Sequence, residues 1–297
     1  MDLLEQMATF VRVVEGKSLS AAARAQGLSL AAVSRQVTAL EADLGAALLV
    51  RSTRSLRVTE AGAEWYARAT RILRDVDDAR AAVRGDRRAR GTLVVSASLT
   101  FGTVVLLPRL GALAAAHPEL TVDLRLEDQL VDLVGEGVDV AIRAGSPPPD
   151  STAYVAHPLF SMRRVLVASP KWVRKHGTPR EPAQLERSPC LVQVTPSGAV
   201  IRWAIERGDE RRALEVRGPV RCNAPSALRD LAVEGVGAAF VPDWLVEDDL
   251  AAGRLKRLLP AWTAPPITAW AIHRAELRGS PKLRAFLDAL PRAAKSR

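Results

Sequence analysis

Apolar residues in the first 58 positions recur at the spacing of short amphipathic helices. The first predicted helix ends at Gly16, the second ends at Gly27, and Ser29 can cap a third helix that Gly45 terminates. The connection between the second and third helices runs only from Gly27 to Ser29. Two short helices joined by such a tight, glycine-containing turn predict a helix-turn-helix.

The third helix of this motif has a face that suits contact with DNA. Val33, Val37 and Leu40 form its apolar side, and the opposite side is small, polar and lightly basic. Alanines permit close approach to a groove floor, and Arg35 can donate to base edges or to phosphates. An ordinary solvated helix face is an equally good interpretation of the helix alone. The candidate DNA contacts are Ser29, Ala31, Ala32, Ser34, Arg35, Gln36 and Thr38.

The segment that follows predicts a wing. Residues 48–51 and 55–58 read as two short strands around a turn, and this hairpin carries Arg51, Arg54 and Arg57 but no acid. Such a wing can press basic groups onto the phosphate backbone beside a groove, so Arg51 and Arg54 join the candidate contacts. Residues 1–59 hold seven Lys or Arg against five acids. The prediction of DNA binding therefore depends on where the basic residues lie, and not on the net charge of the domain.

Residues 59–88 predict one long helix, with Thr59 as its cap. Apolar residues follow at alternating spacings of four and three, which is the pattern of a coiled-coil seam. The seam consists of Trp65, Ala69, Ile72, Val76, Ala79 and Val83. Such a narrow stripe must be buried, either on a second copy of the chain or within its own chain, and a two-fold dimer is favoured.

From Gly91 the pattern alternates strands at 93–96, 120–124 and 138–142 with helices at 103–116 and 129–135, which predicts a parallel α/β unit. Ligands bind such units where strands end and helices begin. The first such turn offers Ser98, Thr100 and Thr103, and free amides there could hold a carboxylate. Plain helix capping explains the same hydroxyls equally well.

A second α/β unit is predicted over about 162–265, with strands at 164–168, 191–194 and 238–241 and helices after Pro170, Ala224 and Pro242. The chain then returns to the first unit through 267–272 and a final helix, 281–290. A cleft between two such lobes suits a small-molecule site. The ligand-facing candidates of this unit are Ser197, Asn223 and Ser226, with Arg143 as a further candidate of the first unit. These groups favour a small carboxylate or aromatic acid as the ligand.

Composition adds limits to this interpretation. The chain has 297 residues, a formal net charge of +9 and a pI of about 10.3, which together favour several domains and a polyanionic partner. Cys190 and Cys222 share no metal spacing, and the four histidines are scattered, so we expect no metal, no cofactor and no enzyme activity. The acidic N-terminus and the absence of a long apolar run predict a cytoplasmic protein outside the membrane.

An ordered set of motifs runs through residues 10–62. It consists of Ser20-Ala21-Ala22-Ala23, Ala32-Val33-Ser34-Arg35-Gln36-Val37, Leu40-Glu41, Leu44-Gly45, Leu48-Leu49-Val50-Arg51 and Leu56-Arg57-Val58-Thr59-Glu60-Ala61-Gly62. Looser motifs follow at 107–108, 137–143 and 235–242. In these motifs the chain resembles the LysR-type transcriptional regulators over essentially its whole length. One small departure is Val50, where an aromatic residue is usual.

The resemblance implies an α+β multidomain fold: a winged helix-turn-helix over 1–59, a dimerising linker helix over 60–90, and an effector-binding domain over 91–297 like the type II periplasmic binding proteins. Lobe I would comprise about 91–161 and 267–297, and lobe II about 162–266. By position, Ala32, Ser34, Arg35 and Gln36 match the DNA-reading stretch, and Ser98 and Thr100 match the inducer-contacting turn.

The resemblance also implies the partners. These are double-stranded promoter DNA with partial dyad symmetry, a small-molecule effector and further copies of the chain, as a dimer through 60–88 and then a homotetramer. RNA polymerase is a further candidate partner. A ligand-binding protein without a DNA function, the competing interpretation, would explain 91–297 but not 1–88.

Overall fold

The structure is a computed structural model that describes residues 2–51, 56–83, 85, 87–129, 132, 133, 135–146 and 151–291, with the backbone alone for residues 51 and 82. Contacts within the chain divide it into two compact units, Met1–Thr92 and Leu93–Arg297.

The first unit is a winged helix-turn-helix, as the sequence predicts. Its elements in chain order are α1 (Leu3–Gly16), α2 (Leu19–Gln26), α3 (Leu30–Leu44), β1 (Leu49–Arg51), β2 (Leu56–Val58) and α4 (Glu60–Val83). The two strands pair antiparallel. The long helix is shorter than the predicted 59–88, since it runs from Glu60 to Val83. Gly85, just beyond its end, adopts a left-handed φ of 63°.

Local signals set the helix boundaries in this unit. The hydroxyl of Ser18 accepts a hydrogen bond from the Ala21 amide at 3.3 Å, and that of Ser29 accepts one from the Ala32 amide at 3.1 Å. At the other ends, Gly27 and Gly45 both take a left-handed φ of 64°, a conformation in which glycine carries no side-chain penalty.

The core of the helix-turn-helix is formed by apolar faces of its three helices. Phe10 and Val13 from α1 are fully buried against Val33, Val37 and Leu40 of α3. The predicted inward face of the third helix is therefore confirmed. Since this burial uses one side of α3 only, the other side is presented to solvent.

The second unit, with the strand that leads into it, is an α/β domain of two lobes. Its elements in chain order are β3 (Gly91–Ala97), α5 (Leu99–Phe101), a π-helical turn (Gly102–Leu106), α6 (Leu107–Ala116), β4 (Leu120–Leu126), β5 (Val140–Gly145), β6 (Tyr154–Met162), β7 (Arg164–Ala168), α7 (Pro170–His176), α8 (Ala183–Glu186), β8 (Leu191–Gln193), β9 (Trp203–Arg207), β10 (Glu210–Leu214), β11 (Val220–Cys222), α9 (Pro225–Val233), β12 (Ala239–Pro242), α10 (Asp243–Ala251), β13 (Lys256–Arg257), β14 (Ile267–Arg274), a 3₁₀ turn (Ala275–Leu277) and α11 (Pro281–Ala289).

Lobe I is built on a five-stranded sheet in the order β4-β3-β5-β14-β6. β3 and β5 are parallel, whereas β14 runs antiparallel to both β5 and β6. The sheet is therefore mixed and not parallel as predicted, because β14 runs antiparallel to both of its neighbours; the sequence pattern also missed β6. The return of the chain through β14 and α11 completes this lobe, and α11 packs against α6.

The prediction of a helix over 129–135 is wrong, since the described residues of this segment are not helical. Residue 132 has no regular secondary structure, and residues 133 and 135–137 form turns. The Asp132 amide donates to the Glu136 carboxylate at 3.0 Å, and Gly137 takes a left-handed φ of 65°. A side chain thus satisfies an amide that a helix would have paired with a backbone carbonyl.

The helix predicted over 103–116 begins earlier, at Leu99, and passes through the π-helical turn. A Cβ on Gly102 would lie 2.1 Å from a methyl carbon of Leu126, so a larger residue here would have to displace the Leu126 side chain. The segment Leu99–Ala116 also has the length and composition of a membrane span, with 28% of it buried inside the protein. The prediction that no such run exists is therefore wrong, although a core helix can share these properties.

Lobe II contains β7 to β13 and the helices between them. β12, β7 and β13 form one sheet, β8 and β11 pair in parallel, and a parallel bridge between Cys190 and Ala238 places β8 beside β12. One side of these strands packs on α9 and α10 through residues such as Leu228 and Val246. The other side packs on Trp172 of α7 and on Trp203 of the β9–β10 hairpin, which the sequence pattern missed.

Candidate DNA-binding surface and effector cleft

The outer face of α3 carries most of the predicted DNA contacts. Ala31, Arg35 and Thr38 are exposed, and Ala32 and Ser34 are half-buried beside them. Ser29, which caps the helix, lies exposed at its start. This face has small side chains around one guanidinium and so suits the floor of a major groove, where donors can reach base edges.

Gln36 has a different position from the rest of the predicted contacts. It is half-buried, and its side chain meets the hydroxyl of Thr9 on α1, which also lies 2.9 Å from the Gln26 side chain. This cluster joins α1, α2 and α3. In this conformation Gln36 positions the recognition helix, and it would have to leave Thr9 in order to reach a base.

The wing is described only in part. Arg54 and the side chain of Arg51 lie outside the described residues, and Arg57 is exposed opposite Val50 in the hairpin. The sequence analysis missed Glu41, whose carboxylate accepts hydrogen bonds from the amides of Leu48 at 2.8 Å and Leu49 at 3.0 Å. The base of the wing is thus tied to the last turns of α3.

The start of α4 is fixed to the base of the same wing. Thr59 donates its hydroxyl to the Ala47 carbonyl at 2.7 Å and accepts from the Gly62 amide at 2.9 Å. A Cβ on Gly62 would lie 2.1 Å from the Leu48 carbonyl oxygen, so a larger residue could not fit without displacing the backbone. These contacts explain the motif that runs from Thr59 to Gly62.

The predicted seam of α4 divides into two parts. Ala69 is fully buried and Trp65 is half-buried, and both pack against α1 through Met7 and Val11. The seam is therefore partly used within its own chain. Further along, Ile72 is 38% exposed and Val83 is 90% exposed, so the second half is the part still available to a partner.

In the second unit, Thr100 lies where lobe I meets lobe II. Its hydroxyl oxygen accepts a hydrogen bond from the Ser226 amide at 3.2 Å and lies 3.2 Å from the Ser226 hydroxyl. Ser226 is in the first turn of α9, whose N-cap residue, Ala224, has no side-chain acceptor. Thr100 therefore supplies from the other lobe the acceptor that α9 lacks.

Two other groups of the same turn, the Thr103 hydroxyl and the Leu99 amide, have partners within lobe I. Thr103 donates to the Leu99 carbonyl at 2.8 Å within its own helix. The amide of Leu99, which the sequence offered to a ligand carboxylate, instead donates to the carboxylate of Asp128 at 3.2 Å. Ser98 is half-buried at the N-cap of α5. This helix start is thus already occupied by an acid of the protein.

The lobe II candidates lie at the ends of neighbouring strands. Ser197 follows β8 and Asn223 follows β11, and both residues are exposed. Since β8 and β11 are parallel, these residues lie at one edge, beside the start of α9. The Ser197 hydroxyl lies 2.8 Å from that of Thr195.

Arg143 lies at the corresponding edge of lobe I. It donates to the Ser96 hydroxyl at 2.8 Å and to the Gln129 carbonyl at 3.0 Å, and its buried Nε has no partner among the described residues. Burial lowers the pKa of Arg143, and the nearby acids Glu127, Asp128 and Glu136 act in the opposite direction.

Aromatic side chains form a wall beside Thr100, which sequence reasoning did not find. The ring of Phe101 stacks on Phe160 at 5.8 Å between centroids and meets Trp244 edge-on at 6.2 Å. Trp244 belongs to α10 in lobe II and donates from its indole nitrogen to the Met162 sulfur at 3.0 Å. Apolar walls with a few polar groups are typical of small-molecule sites.

The fold and these two sites define a DNA-binding regulator with a ligand-responsive domain. The family model "Bacterial regulatory helix-turn-helix protein, lysR family" matches residues 4–63, and the model "LysR substrate binding domain" matches residues 86–295. The chain therefore belongs to the LysR-type transcriptional regulators, a family whose members bind DNA and small-molecule effectors and oligomerise.

Individual relatives agree with this assignment. The chain is 33% identical over 291 residues to the HTH-type transcriptional regulator DmlR of Escherichia coli, covering 98% of this chain and 94% of that protein. The structure of CrgA from Neisseria meningitidis matches with a TM-score of 0.61 and 30% identity over 96% of both chains. AphB of Vibrio cholerae matches with a TM-score of 0.61 and 25% identity, over 97% of this chain and 98% of that one. The chain is thus a regulator rather than an enzyme, as the sequence predicts.

Proposed function

We propose that the chain binds promoter DNA of partial dyad symmetry as a cytoplasmic homotetramer, and that an acidic small molecule held between lobes I and II changes this binding. The exposed face of α3 around Arg35 supports the DNA-binding part. The exposed second half of the α4 seam supports dimerisation through this helix. RNA polymerase is a further proposed partner, through which bound protein would act on transcription.

A selection experiment tests the DNA-binding part. Full-length protein would be used to select binders from a random double-stranded DNA library, and we expect half-sites about 10 base pairs apart, or a multiple of that spacing. Arg35→Ala should weaken binding to the selected site by about 1–3 kcal/mol and relax preference at one base position. The matched control is Arg24→Ala, an equally exposed arginine on α2. If no sequence is enriched, the DNA-binding part of the proposal is wrong.

A second variant separates recognition from phosphate contact. Arg54→Ala in the wing should weaken all DNA sequences alike and flatten the dependence of affinity on salt concentration. Sedimentation of the complex would give the number of chains bound to one site. A single dimer on the selected DNA would contradict the homotetramer.

The observation that carries the effector part is the bond between Thr100 and Ser226, which joins the two lobes beside the aromatic wall of Phe101, Phe160 and Trp244. A ligand that replaces this bond would change how the lobes meet. A thermal-shift screen of small carboxylic acids on the full chain tests this, since a ligand that binds the folded state raises the melting temperature.

A further inference from the structure

Lobe II contains a half-buried guanidinium whose surroundings differ from those of two buried carboxylates in the same domain. Arg164 begins β7, and its guanidinium lies over the ring of Phe240 at 5.8 Å from the ring centroid. Its Nη1 donates to the side-chain oxygen of Gln193 at 2.7 Å, and Gln193 itself is only 7% exposed. Burial lowers the pKa of Arg164.

Arg164 has no acidic partner among the residues that the structure describes. Two buried carboxylates of this domain are paired with arginines. The fully buried carboxylate of Asp249 accepts from Arg229 and Arg254, and Arg274 lies 2.9 Å from the buried Asp139. A guanidinium that is partly withdrawn from water without a counterion raises the free energy of the folded state, which favours uptake of an anion from solution.

The position of Arg164 in the sheet is one where ligands bind. It pairs with Pro242 at the carboxyl end of β12, and Gln193 is the last residue of β8. The carboxyl ends of these parallel strands form one edge, from which the turn at Thr195 and the start of α9 also extend. Thr100 reaches this edge from lobe I through Ser226.

The two lobes differ in the charge that they present to a ligand. At the lobe I turn the Asp128 carboxylate already occupies the Leu99 amide, and Glu127 and Asp128 lie near Arg143. A second carboxylate there would meet like charges. At the lobe II edge the guanidinium of Arg164 has a neutral amide and an aromatic ring as its neighbours. An anionic group is therefore accommodated better on the lobe II side.

We propose that Arg164, held by Gln193 and Phe240, binds a carboxylate of the effector in lobe II. This inference rests on the proposed function, because it names the charge of the effector and the residue that selects for it. The hydroxyl-bearing turn of lobe I then contacts the uncharged part of the same molecule. A planar guanidinium can hold a carboxylate through two parallel hydrogen bonds, which a lysine ammonium cannot do.

The test compares Arg164→Gln with Arg163→Gln in the full chain. Arg163 is the adjacent, exposed arginine, lies 3.7 Å from Glu206 and carries the same charge, so it controls for the general loss of one positive charge. The melting temperature would be measured against increasing sodium acetate, succinate, benzoate and inorganic phosphate, with ionic strength held constant by sodium chloride. Succinamide and benzamide serve as uncharged analogues.

We expect a saturable rise in melting temperature for at least one carboxylate in the unmodified protein and in Arg163→Gln, and none for the amides. In Arg164→Gln the midpoint concentration should rise about tenfold or more, as expected for loss of a charged hydrogen-bonding partner. In sodium chloride alone, without added carboxylate or phosphate, Arg164→Gln should melt no lower than the unmodified protein. If it does not fold, Arg164→Lys replaces it, with a smaller rise in the midpoint.

Three results would overturn the inference: equal midpoints in the two glutamine variants, equal stabilisation by acids and amides, or saturation by phosphate alone. The absence of a saturable rise with every carboxylate would overturn it as well. DNA selection with the unmodified protein and with Arg164→Gln distinguishes a failure of this inference from a failure of the proposed function. If the unmodified protein selects no DNA sequence, the proposed function fails; if selection succeeds while the anion results are negative, only the role of Arg164 is wrong.

Discussion

The hydroxyl of Thr100 accepts a hydrogen bond from the amide of Ser226, although 126 positions separate the two residues. One belongs to lobe I and the other to the first turn of a helix in lobe II. Because Ala224 cannot cap that helix, the amide depends on a residue of the opposite lobe. The contact between the lobes thus also caps the N-terminus of α9 in lobe II.

Thr100→Val should therefore lower the stability of the second unit by about 1 kcal/mol, as removal of a helix cap does. Ser226→Ala keeps both the amide and its acceptor and should cost less. Thermal unfolding of both variants measures the difference. If Thr100 also contacts the effector, Thr100→Val will need more effector for the same response. An unchanged effector titration would remove Thr100 from the site, and Ser197 and Asn223 would become the stronger candidates.

Glu41→Ala should loosen the wing while leaving the helix-turn-helix folded. The change removes the acceptor of two strand amides, and hydrogen bonds to a charged group contribute about 1.5–3 kcal/mol. We expect weaker binding to the selected DNA, measured by fluorescence anisotropy, and a lower melting temperature. Asp43→Ala is the control, because Asp43 is an exposed acid on the same helix. Equal effects of the two changes would show that charge alone matters.

Ile72→Asp combined with Val76→Asp should dissociate oligomers that form through α4. The pair would place like charges in the second half of the seam, at exposed Ile72 and half-buried Val76, where two copies are proposed to meet. Light scattering of the full chain gives the assembly size. Ala63→Asp with Ala67→Asp is the control, since these exposed residues have the same spacing on the opposite side of the helix. An unchanged assembly in the first variant would place the interface elsewhere.

His273 should make the second unit sensitive to mild acid. It is almost fully buried, its Nδ1 lies 2.7 Å from the Arg274 carbonyl oxygen, and its Nε2 lies 3.1 Å from Nε2 of His157. Burial lowers the pKa of His273; the Arg274 carbonyl opposes this change, and His157 and Arg278 add to it.

Below a pH of about 6.5 the unfolded chain takes up a proton that folded His273 resists, so stability falls as pH decreases, by at most about 1.4 kcal/mol per pH unit for this group. In His273→Gln the melting temperature should decrease less steeply as the pH is lowered below about 6.5. His176→Gln, at an exposed position, should leave the slope unchanged. An identical slope in all three proteins would rule out His273 as the origin.

Local signals in the sequence were sufficient to predict the helix boundaries of the first unit. The caps Ser18 and Ser29 and the left-handed glycines act within a few residues, so the helix boundaries of the helix-turn-helix could be read directly. The error at 129–135 has the same origin. Helical spacing was present there, but the Glu136 side chain and Gly137 set a turn instead.

Contacts between distant residues could not be read from spacing. The burial of Ala69 against α1 and the contact of Gln36 with Thr9 depend on how helices meet, which a single periodic pattern does not encode. The cap that Thr100 gives to α9 and the missing counterion of Arg164 likewise depend on which strands become neighbours. The predicted DNA-binding and effector-binding residues stay predictions until such experiments are done.

The close approach of Gly62 to the Leu48 carbonyl has a mechanical consequence. α4 has 24 residues and is therefore a rigid rod of about 36 Å, fixed to the wing at one end. A side chain at position 62 that tilted this rod by about 10° would displace its far end by about 6 Å, which exceeds the rise of one helical turn. In the proposed dimer, the reach between two DNA-binding units joined through such rods would then no longer match the groove spacing of their site. In that proposed assembly, a glycine packed against the base of the wing would determine which operator length the protein accepts.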